Sequence, residues 1–136
     1  MDKALGYRQT ALRLFQELRV KNPKSEQLRR SEIFVVQRIS EILADLGMWD
    51  SALKHSKDSL SLALLLQENM PFSEKAIAGL IRSYVLHGNI FLDQGDYRLA
   101  HETYAKAEEV AKQAISKFPE SDDIFRLKGL VFFKFG

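Results

Sequence analysis

Apolar residues follow one another at helical spacing through the first half of the chain. Ile33, Val36, Ile39, Leu43 and Leu46 share one face of a helix with a period near 3.6 residues. The run is bounded by Pro23-Lys24-Ser25-Glu26 before it and Gly47 after it, and Ser25 to Leu46 spans 22 residues. That length predicts a helix of roughly 33 Å at 1.5 Å per residue. Gly47 then suits the residue just past a helix end, where a left-handed backbone is easy for glycine. A second helix follows, from about Asp50 to Met70.

The same arrangement returns 48 residues later. Pro71-Phe72-Ser73-Glu74 and Pro119-Glu120-Ser121-Asp122 repeat the pattern of proline, any residue, serine and acid. Gly47 aligns with Gly95, Trp49 with Tyr97, Leu43 with Phe91, Val36 with Tyr84 and Phe132, and Ser40 with Gly88 and Gly136. Ala4, Ala52 and Ala100 share one position, and Ala11, Ser59 and Ala107 another. Each punctuation residue has a job. Proline cannot continue a helix, serine caps the next one, and the acid sits in that helix's positive first turn. A further second helix runs from Asp96 to Phe118.

Gly88 carries the most information. A glycine inside a helix costs roughly 1 kcal/mol against alanine, so a neighbour must need the space. Tyr104 on the antiparallel mate is the expected occupant, with Ala100 and Ala107 letting the two backbones approach. A hairpin of this kind cannot bury both faces alone and must stack on the next.

Gly88, Phe91, Gly95, Tyr97, Ala100, Tyr104 and Ala107 together resemble the tetratricopeptide repeat family, with its small, aromatic, turn, small, aromatic, small pattern. In the first repeat Leu43, Gly47, Trp49 and Ala52 fit, whereas Ser40 stands for the glycine and Ser56 for the inner aromatic. The family's usual period is about 34 residues, so both helices of this repeat are extended by about two turns. The resemblance implies an all-α fold of antiparallel helical hairpins stacked as a right-handed solenoid, with about six helices. The single helical domain then divides into a lone second-type helix (1–24), repeat one (25–72), repeat two (73–120) and the start of a third first helix (121–136).

In that register Met1 is level with Trp49 and Tyr97, and Arg8 stands where Tyr104 stands. A placing seven residues later instead puts Ala11, Phe15 and Leu18 in the small-aromatic-small positions. At the other end Phe132, Phe133 and Phe135 have no mate. Three readings are open there: a piece of a longer array, a short cap folded onto Ala100 to Ala114, or an edge that associates with another chain.

Composition narrows the class. With 136 residues, 46% apolar and 28% charged, the chain is one ordinary globular domain. The longest aliphatic run, Leu62 to Leu66, is far short of the roughly 18 residues of a spanning helix, and the first residues lack the apolar core of a signal peptide. These features predict a soluble, unexported protein with a cytoplasmic address and no membrane partner. The absence of cysteine excludes disulfides, thiolate zinc sites and a cysteine nucleophile. The net charge of +2 conceals a basic start: residues 1–30 hold eight basic side chains against Asp2, Glu17 and Glu26. Such a face is ordinarily solvated, and it lacks the interleaved aromatics of a nucleic-acid stacking platform.

Chemistry is sparse. His55, His87 and His101 have no metal-type spacing, so no metal or other cofactor is expected. No nucleophile elbow or phosphate loop is present, and Glu108 and Glu109 point in different directions on a helix. A non-catalytic role follows. The resemblance implies that the first helices line a groove, here through Phe34, Gln37, Glu41 and Asp45, then Arg82, Val85, Asn89 and Asp93, each set on one side of a helix. The carboxylate clamp of chaperone-binding relatives would need lysine and asparagine at Gln37 and Glu41, so chaperone tails are not the expected ligand. The expected partner is a peptide or helix of another protein. The alternative is self-association through the terminal helices, with Phe132, Phe133 and Phe135 at the edge.

Overall fold

The computed structural model describes the backbone of residues 2–135 and the side chains of residues 3–132. The described residues form six α-helices: α1 (Asp2–Lys21), α2 (Glu26–Asp45), α3 (Trp49–Asn69), α4 (Glu74–Gln94), α5 (Tyr97–Lys117) and α6 (Asp122–Phe135). None of them is long and apolar enough to cross a membrane. Each helix packs on its chain neighbours, and α2, α4 and α6 also touch in that order, making one layer of first helices.

The punctuation does what its residues require. Ser25, Ser73 and Ser121 each accept a backbone N–H three residues on, from Leu28, Ala76 and Ile124, at 3.1 to 3.2 Å. Gly47 and Gly95 both have positive φ, 75° and 89°. Around them the same bonds recur 48 residues apart: Met48 N–H to the Leu43 carbonyl and Asp96 N–H to the Phe91 carbonyl, both 2.9 Å. These bonds satisfy carbonyls that a helix end would otherwise leave bare.

The serines also join the repeats. The Ser73 hydroxyl donates to Glu26, and the Ser121 hydroxyl donates to Glu74. Each cap therefore starts its own helix and grips the first turn of the preceding first helix. This ladder was not foreseen, because the spacing shows only the local use of serine and acid.

Gly88 is where the second hairpin closes. A Cβ built on it would lie 2.5 Å from Tyr104 Cε1 and 2.7 Å from Cδ1, so only glycine leaves room for the ring. Tyr104 Oη donates to Asn89 Oδ1 at 2.5 Å, and burial, with Asp93 nearby, pushes its phenol up to about 12. In the first hairpin the contact is made by smaller groups: Ser40 Oγ donates to the Ala52 carbonyl at 2.7 Å.

The core follows the stack. Ile77, Ile81 and Val85 of α4 meet Ala107, Ala111 and Ala114 of α5 and Ile124, Leu127 and Val131 of α6. Thus α6 docks through an aliphatic side, while Phe125 and Phe132 are 52% and 72% exposed. The side chains of Phe133 and Phe135 lie outside the described residues. At the other end Leu5, Ala11, Leu12 and Phe15 of α1 pack against Val35, Ile39 and Leu43 of α2. Arg8 and Leu18 are exposed.

Candidate binding groove

A groove of about 860 Å³ runs along α2 and α4, closed on one side by α1 and on the other by α6. It exists because the first helices lie side by side while their mates pack behind them. Phe34, Gln37, Glu41, Arg82, Val85 and Asn89 all line it, so packing brings together six of the eight residues expected from the sequence. Asp45 and Asp93 are exposed near the helix ends and do not line it. The helical stripe extends further than the groove it runs into.

Several of these side chains are already engaged. Gln37 is buried, and its Nε2 donates to Ser83 Oγ at 2.8 Å, tying α2 to α4. Val85 is buried in the core, and Asn89 accepts from Tyr104. Arg82 reaches both carboxylate oxygens of Asp123, at 2.9 and 3.0 Å, and links α4 to α6. Arg38 lies 4.9 Å above the Phe34 ring and pairs with Glu41 at 2.7 Å. Phe34, 47% exposed, is the large apolar side chain of the set that meets solvent.

Sequence reasoning missed the groove's positive charge. Arg8, Arg30, Arg38, Lys75 and Arg82 line it, against Glu41 and Asp123. Two of the five cations are paired with those two acids. Arg8 and Arg30 count toward the basic first thirty residues, and the packing of α1 on α2 sets both beside the groove. Lys75 gave no signal beyond its place in the first turn of α4.

A second, smaller cleft of about 300 Å³ lies between α1, α2 and α3. Glu32 is 1% exposed there, with Arg19 Nε 2.8 Å from its Oε1. The angle makes this an ion pair without a hydrogen bond, so both carboxylate oxygens are buried without a donor. The register offered a signal: Glu32 occupies the position of Leu80, which is buried in the second repeat.

His87 joins α3 to α4. Its Nδ1 shares a 2.6 Å hydrogen bond with Ser56 Oγ, and its ring meets Phe91 edge-on at 4.7 Å. Burial holds the imidazole below its usual range, helped by Lys57 and Lys106. A lowered native value means that the unfolded chain takes up the proton first as pH falls. The stability contributed by neutral His87 is therefore present above about pH 6.5 and is lost between there and the lower native value. Urea midpoints measured from pH 7.5 to pH 5 should fall more steeply for the wild type than for His87→Gln. Parallel curves would show that His87 does not drive the loss.

Among the described residues, no group of three or more histidines and acids is placed to hold a metal ion. The fold and groove define an all-α chain of repeat-like helical hairpins with a cationic channel on its first helices. No family model, curated protein or solved structure matches the chain.

Proposed function

We propose that this is a non-catalytic protein-interaction module of tetratricopeptide-like design, holding a peptide or helix of a partner protein in the groove of its first helices. The observation that supports this reading is the groove itself: six residues spaced for one face of α2 and α4 line a single channel with apolar, amide and charged groups. A channel of several hundred Å³ with a few fixed polar groups is the usual form of a binding site.

Phe34 gives the cleanest test, because it is exposed and its removal leaves the core intact. Phe34→Asp should keep the helical circular dichroism of the wild type and lose partner protein recovered by affinity capture. Equal recovery of every captured protein would remove this groove from consideration.

A further inference from the structure

Within the interaction reading just given, on which this step rests, we propose that the groove takes an acidic, extended polypeptide segment, with Arg30 and Lys75 meeting its carboxylates and its backbone crossing at Gly79. Charge gives the first argument. Once Glu41 and Asp123 have neutralised Arg38 and Arg82, Arg8, Arg30 and Lys75 are left with no acid paired to them in the groove. Arg30 Nε is in addition buried without a hydrogen-bond partner. A concave surface with unbalanced charge of one sign focuses its field on ligands of the other. Guanidinium groups match carboxylates with two parallel donors, which favours an acidic chain over a merely polar one.

Gly79 gives the second argument, independent of charge. It lies inside α4, where glycine costs roughly 1 kcal/mol against alanine. Gly88 is explained by Tyr104, but a Cβ at Gly79 would meet nothing within 4 Å. No packing contact requires it, and it lines the groove beside Ser31, the residue at its position in the first repeat. A missing side chain facing a channel permits close approach of another backbone. Arg30 and Lys75 flank this spot from α2 and from the first turn of α4, placing the cations at the early ends of the two first helices.

Nucleic acid is the other polyanion, and the groove suits it less. Single strands are held by stacking on open aromatic faces. The exposed aromatic here, Phe34, has its face occupied by Arg38.

A random twelve-residue peptide display library, selected on the wild type and counter-selected on Gly79→Leu, tests the proposal. Leucine favours the helix at that open position, so the variant should fold while filling the channel. Enriched peptides should be net acidic, and Arg30→Glu with Lys75→Glu should weaken a fluorescein-labelled copy by roughly tenfold or more. Neutral or basic peptides that depend on Gly79 would overturn this inference and leave the interaction reading standing. Peptides indifferent to Gly79→Leu and Phe34→Asp would overturn both. A labelled twenty-nucleotide oligo(dT) that binds the groove more tightly than the selected peptides would also overturn it.

Discussion

Gly88→Ala and Gly79→Ala, the same substitution in the same helix, should change stability in opposite directions. At Gly88 the new methyl group would sit 2.5 Å from the Tyr104 ring. The ring cannot simply swing aside, because its hydroxyl is held by Asn89 and its carbon skeleton is buried. Overpacking of this kind costs about 1 to 3 kcal/mol. The better helix propensity of alanine returns up to about 1 kcal/mol, so a net loss of about 1 to 2 kcal/mol is expected. At Gly79 there is nothing to hit, and the propensity gain of about 0.5 to 1 kcal/mol remains. Thermal or urea unfolding followed by circular dichroism checks both, and shifts of the same sign would refute the distinction drawn between the two glycines.

The second large effect is expected at Glu32. Arg19→Ala removes the cation closest to a carboxylate that is 1% exposed. Breaking a buried pair in this way typically costs 3 to 5 kcal/mol, but Arg19 is 38% exposed and water can enter in its place, so about 2 kcal/mol is expected. Glu32→Leu should behave differently. It copies Leu80 at the equivalent position and removes the buried charge, leaving Arg19 to turn toward solvent. Replacing a poorly bonded buried ion by a hydrophobe of similar size is often neutral or stabilising by about 1 kcal/mol or more. Denaturant midpoints measured for both variants decide the matter. A Glu32→Leu protein less stable than Arg19→Ala would mean that the carboxylate contributes more than its contacts explain.

The hairpins were legible in the sequence because their signals are local. Proline, serine, acid and glycine at fixed offsets set where each helix starts and stops, and the observed bounds fall within a residue or two of those expected. Gly88 and Tyr104 were legible as a pair because helical glycine is costly and demands a nearby reason. What stayed hidden depends on how helices from different hairpins meet. The groove stops short of Asp45 and Asp93 at the far ends of α2 and α4, which the helical stripe does not show. Its cationic character comes from Arg8 on one helix and Arg30 and Lys75 on two others, which no single helical face reveals. Gln37 lines the groove as its spacing suggests, but its bond to Ser83, 46 residues away on α4, is not visible in the spacing.

The serine ladder bears on how the energetics of such a stack can be partitioned. Linear arrays are commonly described by an intrinsic stability for each repeat and a separate coupling between neighbours. At Ser73 one hydroxyl serves both: its oxygen accepts from Ala76 within its own helix, while its proton goes to Glu26 of the unit before. Ser121 does the same with Ile124 and Glu74. Here the two parameters share a single atom, so initiating a repeat and attaching it to its predecessor are one event.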